Sequence, residues 1–178
     1  MTTRLTIWDF DDTLALSSDA VGLLREHNPD ISDDQWWSDP NISTLAAQHT
    51  KPNVPLWERV RDTPGDHVIV TGRHSAAVLA WLGWHVEDAA VRPGLVKITD
   101  VESVLGDGWP VEGVAARKAM YVREQRKKYD EVHVYDDHPD VCRAALLAGA
   151  QVHQVVDGGV QTGNWTIQRR AAWIYPAT

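Results

Sequence analysis

The sequence predicts an α/β domain built on an open parallel sheet with helices on both faces, and three observations carry that prediction. Three short apolar runs, rich in β-branched residues, each stop abruptly at a polar cluster. Stretches with helical periodicity separate the runs, the alternation expected of a parallel sheet. A chain of 178 residues that is 43% apolar can close one such core, alone or with a modest insertion.

The first run, Leu5-Thr6-Ile7-Trp8, leads into Asp9-Phe10-Asp11-Asp12-Thr13. Residues 14–66 read as short helices forming a small cap over the site. Within them Asn28-Pro29-Asp30 marks a turn, and Ser32 with Gln35 three positions on resembles a helix start before Trp36-Trp37. The second run, His67-Val68-Ile69-Val70, ends at Thr71-Gly72-Arg73, and a helix is expected over Ser75–Leu82. Residues 86–113 hold scattered Gly and Pro and read as loop-rich. A long helix is expected over Val114–Tyr129. The third run, Val132-His133-Val134-Tyr135, then ends at Asp136-Asp137-His138-Pro139. A helix over Asp140–Leu147 and a fourth strand over Gln151–Val155 follow, while Trp165–Tyr175 reads as a final strand or an edge segment. The whole is one domain, 1–178. In sheets of this kind ligands sit outside the carboxyl ends of the strands, where the three polar clusters fall.

Composition narrows the function classes. Nine Trp stand against one Phe, so indoles take over core packing and are also suited to stacking on bases or sugars. The single cysteine, Cys142, cannot form an internal disulfide, which fits a reducing compartment. No apolar run approaches the ~20 residues a membrane helix needs and no signal-peptide pattern opens the chain, so a cytoplasmic protein without a membrane partner is expected. A net charge of −8 argues against broad non-specific nucleic-acid binding. The charge is uneven: residues 1–50 hold nine acids against Arg4 and Arg25, a net of −7, while residues 111–130 hold six bases against three acids, a net of +3. A metal site handling an anionic substrate would look like this, and so would a solvated helix face.

Chemistry concentrates in the clusters. In an extended chain Asp9 and Asp11 point to one side and Phe10 to the other. Carboxylates so close repel unless a cation or a shared proton relieves them, which suits Mg²⁺ with its hard oxygen ligands. It also suits a division of labour between a nucleophile and a general acid/base. Capping of the next helix explains Asp12 and Thr13 but not Asp9. Thr71, Gly72 and the helix after them form an anion-binding corner, with Arg73 able to bind phosphate or to pair with a surface acid. Asp136 and Asp137 supply further hard ligands, while His138 before Pro139 reads as part of a helix start rather than as a catalytic group. Lys118 shares a helical stripe with Val111, Ala115, Val122 and Tyr129, and either reaches the carboxylates or snorkels outward.

Asp9-Phe10-Asp11-Asp12-Thr13, Thr71, Lys118 and Asp136-Asp137, in this order and spacing over most of residues 4–156, resemble the four motifs of the haloacid dehalogenase (HAD) superfamily. The resemblance implies a HAD-like, Rossmannoid fold with a minimal cap and a phosphatase using Mg²⁺. It makes Asp9 the nucleophile that forms an aspartyl-phosphate and Asp11 the general acid/base. Thr71, Gly72, Arg73 and Lys118 would bind the phosphoryl group. Asp9, Asp136 and the backbone carbonyl of Asp11 would hold Mg²⁺, with Asp137 in support. Thr71-Gly72-Arg73, the step from Lys118 to Asp136, and Tyr135-Asp136-Asp137-His138 leading to Val152-His153-Gln154-Val155 further resemble polynucleotide 3′-phosphatase and RNA-repair HAD domains. Those relatives usually carry Arg at the position of His138, and many members of the superfamily carry Gly at that of Asp12. The implied substrate is a nucleic-acid 3′-phosphate end, with a nucleotide or another small phosphomonoester as the alternative. No kinase phosphate loop is present. A catalytically silent binding domain would be expected to lack Asp9 or Asp11, and both are present.

Overall fold

The computed structural model describes residues 2–32, 35–104, 113–156 and 159–160. In chain order the elements are β1 (Arg4–Trp8), β2 (Ala15–Leu16), α1 (Ser17–His27), α2 (Gln35–Ser38), α3 (Pro40–His49), β3 (Lys51–Pro52), α4 (Val54–Asp62) and β4 (Asp66–Thr71). They continue as α5 (Ser75–Trp84), α6 (Arg92–Leu95), β5 (Ile98–Ser103), α7 (Val114–Gln125), β6 (Glu131–Asp136), α8 (Pro139–Leu147), β7 (Gln151–Val156) and β8 (Gly159–Val160). The main sheet runs β5-β4-β1-β6-β7-β8; its first five strands are parallel, and the short β8 turns back antiparallel to β7. The fold is thus α/β with helices on both faces. No described helix is long and apolar enough to cross a membrane.

The period of two along each strand decides which helices cover which face. Leu5 and Ile7, Val68 and Val70, Val132 and Val134 point to one side and pack with Val122 of α7 and with Cys142 and Ala145 of α8. Trp8, Ile69 and Tyr135 point to the other side, against Leu56, Trp57 and Val60 of α4 and Ala77, Val78 and Trp81 of α5. Trp8, Trp36, Trp57 and Trp81 are wholly buried, so indoles do fill the core. Each of two buried indole N–H groups finds a carbonyl: Trp57 donates to Leu14 O and Trp81 to Thr50 O, both at 2.9 Å. The Trp57 bond, with Asn53 Nδ2 donating to Thr13 O at 2.8 Å, ties α4 to the turn that follows β1, and the Trp81 bond ties α5 to the end of α3.

That turn is tight. Leu14 N and Ala15 N both donate to Phe10 O, and Asp12 sits at φ 52. A left-handed conformation is tolerated by Asp better than by most residues, and its carboxylate is secured by Ser18 N at 2.8 Å and by Ser18 Oγ. Asp12 therefore anchors the start of α1.

Residues 86–113 are less loop-rich than the sequence predicts, because α6 and the edge strand β5 lie within them. The alternation that would reveal β5 is spoiled by a register shift opposite His67 and Val68, which leaves Ile98 and Val101, three apart, as its half-buried apolar residues. The helix expected over Val114–Tyr129 ends at Gln125, and residues 126–128 continue as turn. Ser32 N and Oγ both bond Gln35 Oε1, at 2.9 and 3.0 Å, which starts α2 as the Ser32/Gln35 spacing suggests. Val111 and the segment Trp165–Tyr175 lie outside the described residues.

Replacing Trp57 by Phe keeps most of the core volume but removes a donor from Leu14 O. It should lower stability by about 1–3 kcal/mol, read as a shift of the urea unfolding midpoint at constant slope. An unchanged midpoint would show that the indole N–H contributes nothing.

Candidate active site

Strand register assembles the site. Trp8 pairs with Tyr135, and Asp9 N donates to Tyr135 O at 2.8 Å, so the next residues on the two strands, Asp9 and Asp136, become neighbours. The central strand β1 is flanked by β4 on one side and β6 on the other, which makes its carboxyl end the point where the strand order reverses. A cavity of about 440 Å³ opens there, walled by Asp9, Asp11, Asp12, Trp37, Gly72, Val114, Lys118, Asp136, Asp137 and His138, among others.

Lys118, in the second turn of α7, is buried with its ammonium between two carboxylates: Nζ lies 2.5 Å from Asp9 Oδ1 and 2.7 Å from Asp136 Oδ2. The snorkelling alternative is excluded by that burial. Asp136 Oδ1 accepts His138 N at 3.0 Å, and its backbone oxygen accepts the thiol of Cys142 at 3.3 Å. Asp9, Asp136 and Asp137 each offer a carboxylate oxygen within 4.8 Å of the others. The side chain of Asp11 is outside that group, in contact with Arg73 instead.

One ammonium cannot neutralise so many acids in a partly dry site. Burial drives the Asp9 carboxyl well above its usual range; Lys118 opposes the rise, and Asp136, Asp137 and Asp11 add to it. Asp137 is pushed up to about 7, by burial first and then by Asp136 and Asp12. For Lys118 burial works against the charge, but the facing Asp136 and Asp9 hold its pKa above the usual lysine range. The cluster is short of positive charge, and its donors are hard oxygens. Such a set fits Mg²⁺ or another hard divalent cation.

The second cluster is placed differently from the first and third. Thr71 is buried at the end of β4, its hydroxyl oxygen accepting Arg73 N at 2.9 Å. Gly72 lines the cavity, where a Cβ would come within 3.2 Å of Val114 Cγ1. Arg73 has no exposed surface, and its fork faces Asp11 rather than the cavity. His138 caps α8, its Nδ1 accepting Asp140 N at 3.2 Å, the helix-start role its place before Pro139 suggests. The sequence placed Trp36-Trp37 in helices over the site without deciding which indole faces it, and gave no sign of Val114; Trp37 and Val114 reach the cavity wall through tertiary packing. The exposed bases at the end of α7 and just after it, Arg123, Arg126, Lys127 and Lys128, do not line this cavity.

No family model matches the chain, and neither does any curated protein. Among solved structures it is similar to the protein tyrosine kinase A (PtkA) of Mycobacterium tuberculosis, with a TM-score of 0.54 and 13% identity over 97% of this chain and 99% of that one. It is also similar, below the level from which anything is drawn, to the Legionella pneumophila effector Ceg4 (TM-score 0.47, 15% identity, 97% and 93% covered). The HAD domain of the Legionella pneumophila effector Lem4 has a TM-score of 0.42 at 12% identity, with 97% and 94% covered. At such identity the likeness to PtkA is one of fold alone. It is the α/β fold with a five-stranded parallel sheet flanked by helices that the strand order describes.

The Asp137 shift has a measurable consequence. Its folded pKa lies above the ordinary 3.8, so its contribution to stability is fully present below about pH 4 and is lost as pH rises through about 7. His67, His133 and His153, lowered from 6.5 mainly by burial, act in the opposite sense over part of that interval. Comparison with Asp137→Asn isolates the effect. In EDTA the variant should melt at higher temperature than the parent above pH 7, with the margin closing toward pH 4. A margin independent of pH would contradict the assignment.

Proposed function

We propose that this chain is a HAD-type phosphomonoester hydrolase that uses Mg²⁺ and works through an aspartyl-phosphate on Asp9. The observation that carries the reading is the meeting of Asp9, Asp136 and Asp137 around Lys118 at the mouth of an open cavity, with Asp11 on its wall. Asp9, Asp136 and Asp137 would hold the ion, together with the backbone carbonyl of Asp11. Bound there, Mg²⁺ would offset the charge of the phosphoryl oxygens and of the crowded carboxylates.

The chain's own groups account for the remaining steps. An oxygen of Asp9 attacks phosphorus, the bond from phosphorus to the leaving oxygen breaks, and Asp11, which enters this step protonated on its cavity side, gives that oxygen its proton and becomes a carboxylate. Water then attacks the phosphorus of the aspartyl-phosphate and passes its proton to Asp11. The bond to Asp9 breaks, and both carboxyl groups return to their starting states. Lys118 orients Asp9 and compensates charge in the transition state. Gly72 borders the cavity, while Thr71 beside it is fully buried and off the cavity wall; its hydroxyl, whose oxygen accepts Arg73 N, would have to reach a phosphoryl oxygen from behind Gly72.

For the leaving group we propose a nucleoside, either at a nucleic-acid 3′-phosphate end or in a free nucleotide. Trp37 and the apolar Val114, Ala115 and Val141 give the cavity a wall on which a ring can lie. The acids around the mouth, Asp12, Asp137 and Asp140, would repel a long polyanion, which favours the free nucleotide or another small phosphomonoester as the second reading. Cys142 as a buried thiol accords with a cytoplasmic enzyme.

Asp9→Asn should abolish turnover, by at least ~10⁴-fold, with an unchanged circular-dichroism spectrum, since it removes the nucleophile and keeps the shape. EDTA should silence the parent enzyme and Mg²⁺ restore it; activity persisting in EDTA would overturn the metal assignment. A panel of 3′- and 5′-phosphorylated RNA and DNA, nucleotides and sugar phosphates decides the substrate. Higher kcat/KM on free nucleotides than on 3′-phosphorylated oligonucleotides would select the second reading.

A further inference from the structure

Among the described residues Arg73 is the largest charged side chain with no exposed surface, and its ionic and hydrogen-bonded contacts are all within the protein. Nε donates to Asp11 Oδ2 at 3.1 Å, and Nη2 forms an ion pair with Asp11 Oδ1 at 2.7 Å without the alignment of a hydrogen bond. Nη1 donates to the backbone oxygen of Ser43 in α3 at 3.0 Å. Its guanidinium carbon lies 4.9 Å from the centre of the Trp37 ring and 6.0 Å from that of Phe10. The backbone on either side is held as well: Arg73 N donates to Thr71 Oγ1, Ser103 Oγ donates to Arg73 O at 2.8 Å, and His74 N donates to Trp37 O at 3.3 Å.

With no exposed surface and no place on the cavity wall, the guanidinium is out of reach of a phosphate in the cavity. A buried arginine needs a counter-charge, and the carboxylate that supplies it is Asp11. Asp11 still borders the cavity, with its side chain 19% exposed, so the pairing fixes the direction in which its free lone pairs face the leaving group. Trp37 lines the cavity while also lying over Arg73. The helices α2 and α3 thereby join the wall that a leaving group touches to the group that would protonate it.

We infer that Arg73 is a positioning residue: it orients the Asp11 carboxylate and ties that orientation to the seating of α2 and α3, rather than binding the phosphoryl group itself. The role given to Asp11 rests on the phosphatase reading above, whereas the Arg73–Asp11 linkage does not.

The test is the dependence on leaving group. A proton donor matters for an alkyl phosphate, whose leaving oxygen is strongly basic, and little for 2,4-dinitrophenyl phosphate, whose leaving oxygen needs no proton. Arg73→Lys keeps the charge and loses the fork. Asp11 also takes the proton of water in the second step, which every substrate shares, so the readout is kcat/KM, set by the steps up to departure of the leaving group. For Arg73→Lys it should fall by on the order of 10²-fold for alkyl phosphates and stay within a few-fold for the dinitrophenyl ester. Asp11→Asn should show the same selective loss, and the double variant should be no slower than Asp11→Asn alone. A uniform loss across leaving groups with raised KM would instead make Arg73 a phosphate binder and overturn the inference. If Arg73→Lys does not fold, Trp37→Leu takes its place. It should show a smaller loss of the same selectivity, and equal loss on both esters would overturn the inference.

A second measurement needs no activity. In urea unfolding, Arg73→Lys and Asp11→Asn should shift the midpoint non-additively, and additive shifts would refute the linkage. A parent enzyme that hydrolyses no phosphomonoester, combined with non-additive unfolding, would refute the phosphatase reading and leave the linkage standing.

Discussion

Crowding of negative charge at the carboxyl end of β1 is the constraint around which the rest of the structure is arranged. Backbone register leaves no choice: once Trp8 pairs with Tyr135, Asp9 and Asp136 must lie side by side, and Asp137 follows. Three carboxylates within 4.8 Å of one another are tolerable only with compensation, and the protein supplies a single ammonium, that of Lys118. Proton uptake or a divalent cation supplies the rest, and the raised pKa values of Asp9 and Asp137 register that debt. A fold selected for stability alone would not gather these groups. The stability they forgo is offset by the two hydrophobic faces of the sheet.

Those faces do different work. The side under α7 and α8 is a plain aliphatic layer of Leu, Ile and Val, and it carries Lys118 to the carboxylates from a helix with a firm base. The other side is aromatic. Trp8 stacks on Tyr135 at 4.2 Å and donates to His67 Nδ1, while Trp57 and Trp81 lie 6.0 Å apart and bond carbonyls of Leu14 and Thr50. Indoles serve there because a large apolar body and one N–H donor together can fill volume and satisfy the irregular backbone beside the site. The segment from β2 to α4 is thereby bound to the turn after β1, which contains Asp11 and Asp12. Motion of α2 and α3 relative to the sheet would be felt first at Arg73 and then at Asp11.

The strands that build the core were legible because each is buried on both faces and reads as a short apolar run with an abrupt polar end. Asp9, Asp136 and Asp137 were legible for the same reason, being the first polar residues after such runs. Lys118 could be suspected as a base on an apolar helical stripe, and burial between two carboxylates is what decides its role. β5 was missed because an edge strand is half exposed and a register shift broke its alternation. Thr71-Gly72-Arg73 looked like one anion-binding corner, but consecutive side chains leave a turn in different directions, and Arg73 points into the core instead of toward the cavity.

By itself the sequence determined the four buried strands of the sheet, their chain order and the identities of the acids at the strand ends, since periodicity and residue type are local properties of the chain. Tertiary structure alone decided which acids share a cation-sized space, that Arg73 is matched to Asp11, and that Trp37 reaches the cavity wall. These depend on strand register and on the packing of α2 and α3, which join residues 30 to 127 positions apart. No local pattern encodes contacts of that range; the physical cause is that burial and charge pairing are settled only when the whole core closes.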